Sequence, residues 1–394
     1  MATSLAAWAT GFQPSDEDLA LARRALLDTL AVMHGARVHP LSGVFTRLSE
    51  AGRWAALAHV LDYDDLHMQS TTHVSAVCVP AALASGGGAD AYLAAAGVMA
   101  RLGTALGWRH YEAGWHATCT AGAPAAAVAA AVGRGLDAER TAVAMALAIP
   151  AAGGVQRAFG TAAKSLQVAF AVEAGIRAAE LAEAGATADV CAVEDWMELV
   201  GGDPASVDVH GPAVPGGLAV KLYPCCYALQ RPISATLALG PLPANRVRAI
   251  RVATPACSLA PLIHHRPRTG LEGKFSLEYG IAAALIDRPP GLASFSDDAV
   301  RRPDAVRLTE AVETEAAGER GQDLLAGQAQ IEVVLDDGRR VEATLELPPG
   351  APDRPATDEE LRSKLVLCAG GEADVLAAVS WESAATDLRA RLVA

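Results

Sequence analysis

The sequence holds no Cys-x-x-C pair, no run of three lysines or arginines and few aromatic side chains. Its cysteines, Cys78, Cys119, Cys191, Cys225, Cys226, Cys257 and Cys368, are odd in number and scattered. That pattern points away from zinc knuckles, iron–sulfur clusters and a disulfide framework, and reduced thiols are the plain reading. A net charge of −13 without a basic stripe speaks against a nucleic-acid partner. No apolar run reaches the roughly 18–20 residues of a membrane span. The nearest, Ala123 to Ala152, is broken by Arg134, Asp137, Glu139 and Arg140. The opening residues lack a basic stretch followed by an apolar one, so a cytoplasmic location is expected.

What the chain does have is alanine, the main contributor to a 52 % apolar content, and alanine favours helix because it loses no side-chain entropy there. Its 394 residues allow a large core and more than one domain. Ser15 and Asp18 form a capping pattern that opens a helix ending near Gly35. Further Ala-rich helices are expected over Trp54–Asp62, Ser75–Ser85, Asp90–Leu106, Pro124–Val132, Ala138–Ile149 and Lys164–Ala184. Strand alternation appears only after about residue 222, in RVRAIRVATPA and in AQIEVVLDDGRRVEATLEL, where Asp337-Gly338 is a hairpin signal. LEYGIAAALI and DAVRLTEAVETEA read as helices between these strands, and further helices start at Asp358 and Glu372. The expected fold is therefore mainly α: a large all-helical domain of residues 1–222 plus 350–394, with an inserted α+β domain over 223–349.

Four segments gather the polar residues that carry chemistry. LDYDDLHMQSTTHVSA offers Asp62, Asp64, Asp65, His67 and His73, suited to acid/base work or a metal, or simply to a solvated loop with helix caps. His116 precedes a helix start, where a carboxylate is favoured and a neutral imidazole can move a proton; a histidine satisfied by a backbone carbonyl is the bland alternative. Lys164 also opens a helix, against the macrodipole, which makes sense if it meets a substrate carboxylate and otherwise implies snorkelling to solvent. Lys221 and Arg231 flank Tyr223-Pro224-Cys225-Cys226, whose thiols read as packing groups.

Taken together, LDYDD with HVSA, GWHATCTAG, GTAAK, KLYPCC, EGKFSLEYG and the C-terminal DDGRRVE resemble the motifs of the MmgE/PrpD family, in order and over nearly the whole chain. The resemblance implies a helical domain of N- and C-terminal segments, an inserted lid, an active site between them and a homodimer. It also implies that Asp62, His73, His116 and Lys164 are catalytic. Two departures stand out: Gln230 and Gln167 occupy positions where the family often has histidine, and an amide cannot shuttle a proton.

The expected activity is a cofactor-independent and metal-independent lyase acting beside a carboxylate of a small polycarboxylate, most simply a dehydratase like that for 2-methylcitrate. Decarboxylation or epimerisation of a specialised-pathway substrate is the alternative within the family. In this reading His116 is the principal acid/base and His73, oriented by Asp62, is its partner or protonates the leaving hydroxyl. Lys164 binds a carboxylate, with Lys221, Tyr223, Gln230, Gln167 and Lys274 completing the substrate site. A metal-dependent hydrolase using Asp62, Asp64, Asp65, His67 and His73 is a second class, although their spacing matches no compact zinc motif. A member that binds without turning over is a third, motivated by the two glutamines.

Overall fold

The computed structural model describes residues 1–317 and 327–392. Helices dominate. Asp16–Ala36 opens on the Ser15–Asp18 box, and Glu50–Val60, Val74–Ala84, Ala89–Glu112, Ala117–Gly133, Ala138–Ala148 and Ala162–Glu183 follow. The seventeen residues from Ala117 run through Pro124, where the sequence suggested that a helix begins. Proline normally weakens a helix interior, but here packing prevails. The helix lies so close to Ala162–Glu183 that a Cβ on Gly175 would meet the Ala123 carbonyl oxygen at 2.5 Å. Alanine and glycine permit this approach, which explains why an Ala-rich sequence forms a dense bundle.

Sequence reading missed helices at Ala2–Gly11, Ala192–Leu199 and Gln230–Ala238. The first is held by tertiary contact: Leu5 and Ala6 are fully buried, and the Arg101 guanidinium stacks on Trp8, 4.2 Å from the ring centre.

Among the described residues the strands β1 (Val247–Pro255), β2 (Val312–Ala317), β3 (Ala329–Leu335) and β4 (Arg340–Leu345) make one sheet in the order β2-β1-β3-β4. β1 pairs antiparallel with β3, which pairs antiparallel with β4 through the Asp337-Gly338 turn. The helical expectation for DAVRLTEAVETEA is only half right. Pro303–Glu310 is helical, but Val312–Ala317 is β2, parallel to β1 with Ile250 opposite Val312. The open edge of β1 offers a row of backbone partners that local helix propensity cannot match.

Apolar side chains gather into two main clusters. The larger draws on residues 2–214 and 368–392, and the second on Phe159 and residues 223–335. Among the described residues no helix is long and apolar enough to cross a membrane.

Candidate active site

Three helices begin at one place. His73 is the residue before Val74–Ala84, His116 the residue before Ala117–Gly133, and Lys164 sits in the first turn of Ala162–Glu183. The first two starts are tied together, since the His73 amide donates to Thr118 Oγ1 at 3.1 Å. Helix N-termini carry partial positive charge, so their convergence favours an anion. The fourth wall is the end of Glu50–Val60 and the turn that follows, which carries His59, Asp62 and Asp64.

These groups form one buried network. Asp62 Oδ1 accepts from Lys164 Nζ at 2.9 Å and from Lys221 Nζ at 3.1 Å. Lys164 Nζ also donates to His59 Nε2 at 2.7 Å, and His59 Nδ1 donates to Asp64 Oδ2 at 2.7 Å. Because the carboxylate only accepts, the His59 proton must sit on Nδ1, leaving Nε2 free to receive the ammonium. The expectation that Asp62 orients His73 is corrected: Asp64 Oδ2 is the carboxylate oxygen beside His73 Nδ1, at 3.1 Å and off the line of a good hydrogen bond. Asp62 belongs to the two lysines instead.

The protonation states follow from burial and these charges. Burial alone would raise the Asp62 carboxyl, but Lys164 and Lys221 outweigh it and hold the group below its ordinary range. Burial pushes His73 down to about 3, assisted by Lys221 and Lys164 and opposed by Asp64. His116 is driven well below the usual histidine range, by burial first and then by Lys164. Its imidazole is therefore neutral at pH 7. Its Nδ1 faces Cys119 Sγ at 3.2 Å, while its buried Nε2 has no hydrogen-bond partner among the described residues.

A pocket opens over this network. His116, Lys164, Asp62 and His73 line it together with Arg231, Thr254 and Phe275. Asp62 Oδ2, His116 Nε2, Tyr227 Oη and Thr254 Oγ1 all belong to pocket-lining residues and are buried without a hydrogen-bond partner among the described residues. Such atoms are costly unless something else meets them, which marks the pocket as a place for a polar ligand. Phe159 and Phe275 stack at 5.2 Å and flank the Lys164 ammonium, an apolar wall that strengthens the electrostatics within.

Five residues expected to bind substrate turn elsewhere. Lys221 is fully buried beneath the Asp62 carboxylate. Lys274 Nζ donates to the Leu61 and Pro224 carbonyls. Tyr223 Oη pairs with Ser234 Oγ at 3.1 Å. Gln230 Oε1 accepts from the Leu222 and Tyr223 amides while its Nε2 donates to the Tyr223 carbonyl. An amide supplies both functions at once, so Gln230 staples the KLYPCC turn. Gln167 Oε1 accepts from the Val155 amide at 2.8 Å. None of the five lines the pocket.

The ligand set imagined for a metal is also dispersed. Asp65 accepts from the Ser75 amide and hydroxyl, and His67 bonds Ser70 Oγ and the Pro215 carbonyl. His59, Asp62, Asp64 and His73 do cluster within 4.8 Å. Two ammonium groups already neutralise the Asp62 carboxylate through Oδ1, so this donor set suits lysine charges better than a divalent ion. His59 was not singled out from sequence; an isolated histidine inside an Ala-rich helix gives no local signal, although Asp64 nearby was visible.

His73 also predicts a pH effect on stability. In the unfolded chain it titrates near 6.5 and in the folded protein near 3. Between those values the unfolded state holds the extra proton, so this group's contribution falls as pH drops below about 6.5. Asp65, pushed up to about 7 by burial, pulls the other way, so the informative comparison is with a variant. His73→Gln is expected to lose less stability than wild type between pH 7 and pH 5 in urea titrations. Parallel pH profiles would show that His73 is not held neutral by the fold.

Comparison with known proteins adds to this geometry. Residues 49–197 match the MmgE/PrpD N-terminal domain, and residues 223–383 match the MmgE/PrpD C-terminal domain. A cis-aconitate decarboxylase of Aspergillus terreus (strain NIH 2624 / FGSC A1156) is 28 % identical over 387 residues, covering 86 % of this chain and 77 % of that protein. A second cis-aconitate decarboxylase of Aspergillus terreus is 27 % identical with the same coverage.

Proposed function

This chain belongs to the MmgE/PrpD family, and from that premise we propose that it is a lyase that moves a proton at a carbon beside a carboxylate of a small polycarboxylate. The observation that carries the reading is the His116 imidazole: neutral, buried, lining the pocket, with Nε2 unpartnered beside the Lys164–Asp62 pair.

Dehydration like that of 2-methylcitrate is the reaction we assign first. His116 Nε2 takes the proton from the carbon next to the carboxylate. The electron pair moves into that carboxylate, where Lys164 and Arg231 face the growing charge. The carbon–carbon double bond then forms as hydroxide leaves, and the proton on His116 is returned to it as water. A histidine that begins neutral suits this order, because the first event needs a base. Decarboxylation is the second reading, favoured by the activity named for the two fungal relatives. It requires His116 to begin as the acid that reprotonates carbon after carbon dioxide departs, a state that an anionic substrate would promote by raising its pKa. In both readings we assign the segment 223–349 the part of a lid, which would supply Arg231, Thr254 and Phe275 to the pocket lining. Lysine ammonium groups provide the positive charge, so we assign no metal to the reaction. A homodimer in the cytoplasm remains our expectation for the assembled enzyme.

The test is proton NMR in D₂O of the purified protein with 2-methylcitrate, citrate, cis-aconitate and iminodisuccinate. Collapse of the 2-methylcitrate methyl doublet to an allylic singlet, or a new vinyl signal from citrate, supports dehydration. Itaconate signals from cis-aconitate support the second reading. No deuterium uptake and no new signal with any of them, from folded protein, would sink the proposal.

A further inference from the structure

The turn carrying Asp62 and Asp64 is held from behind by lysines of three distant segments. Lys274 Nζ donates to the Leu61 carbonyl at 2.8 Å, Lys221 Nζ to the Asp62 carbonyl at 2.9 Å, and Lys364 Nζ to the Tyr63 carbonyl at 2.7 Å. These are three successive main-chain oxygens, and the lysines are 2 %, 0 % and 3 % exposed respectively. The carbonyls lie just past Glu50–Val60, at a helix C-terminus, where orphan acceptors and the negative end of the macrodipole attract cations.

Burying an ammonium is expensive, and an ordinary C-terminal cap does not require it. Asp62, however, is left-handed with φ +51°, a conformation that a non-glycine residue holds only when its surroundings impose it. Lys364 shows the arrangement most clearly. It comes from the Asp358–Ala369 helix, pairs with buried Asp28 at 2.6 Å, and lies over the Tyr63 ring at 4.2 Å. It is absent from the lining of the active pocket and lines surface grooves instead, so it cannot touch a substrate there. Its bond nevertheless fixes the peptide between the two carboxylates.

We infer that Lys364, anchored by Asp28 and acting with Lys274, is a positioning residue for the active site: by holding the carbonyls on either side of Asp62 it aims Asp62 at Lys164 and Asp64 at His59 and His73. The inference uses the site geometry above, and its test does not require that the assigned reaction be correct.

The experiment compares full-length wild type with Lys364→Met and with the double variant Asp28→Asn/Lys364→Met, each labelled with ¹⁵N-histidine. The double variant removes both buried charges, so it folds even if the single change leaves Asp28 uncompensated. The expected result is displaced imidazole resonances for His59 and His73, with those of exposed His265 unchanged. If turnover has been found, kcat falls about tenfold while KM stays within about twofold, as expected for misplacement without lost binding. Unmoved His59 and His73 resonances in a folded double variant would overturn the inference and leave Lys364 a stabilising contact only. An inactive wild type would count against the assigned reaction, while the imidazole comparison would still decide the role of Lys364.

Discussion

His116→Gln is expected to lose two to four orders of magnitude in kcat, about the contribution of a well-placed general acid/base, while its melting temperature stays near that of wild type. Glutamine retains a polar end of similar reach but cannot carry a proton at neutral pH. The substitution should be tolerated because the side chain bonds only Cys119 Sγ at 3.2 Å, and burial pushes that thiol up, so it stays neutral. Its ring otherwise packs against Phe159 and stacks on His59, with ring centres 5.1 Å and 5.8 Å away. Single-turnover measurement on the substrate found by NMR is the appropriate assay, since it isolates the chemical step from product release. If the variant turned over within a factor of ten of wild type, the proton would have to travel by another group, and His73 would be next in line.

Lys164→Met should have the second largest effect, a drop of roughly 10²–10³ in kcat/KM, comparable to removing one donor from a developing anion. The side chain has three duties that fail together. It lines the pocket as a cation, neutralises Asp62 at 2.9 Å and donates to His59 at 2.7 Å. Asp62 keeps Lys221 at 3.1 Å, so the variant does not bury an uncompensated carboxylate and folding is expected to survive. The change should appear in both KM and kcat, because the lysine meets the ground-state carboxylate and the charge that grows on it. Lys164→Arg should not restore activity, since a planar guanidinium cannot occupy a point-charge position between Asp62 and His59. A normal KM with reduced kcat would mean that Lys164 shapes the network without touching substrate.

The helices were largely legible because Ala-rich periodicity and caps such as Ser15 are local signals. The hairpin was legible because Asp337-Gly338 dictates its turn. β2 was not, since Val312-Glu313-Thr314-Glu315 satisfies two periods and only the open edge of β1 decides between them. The members of the site were easier to find than their pairings. Asp62 and Asp64 stand two residues apart in one turn, and the left-handed backbone at Asp62 determines which carboxylate meets lysine and which meets histidine. Lys221 and Lys274 advertise positive charge near the motifs, but nothing local shows that their ammonium groups face main-chain carbonyls. Gln230 looked like a lost histidine, whereas its amide answers the backbone of its own turn.

The lysine bonds to the turn span 213, 159 and 301 residues of chain. The loop before residue 223, the strand-bearing segment after it and the Asp358–Ala369 helix each own one of them, so the site has no single proprietor. The strand-bearing segment is therefore a poor candidate for exchange between homologues as a cassette. A graft that changed the pocket wall would also bring a new partner for the Leu61 carbonyl, and recombination points would have to respect this shared turn rather than the boundaries of the two apolar clusters.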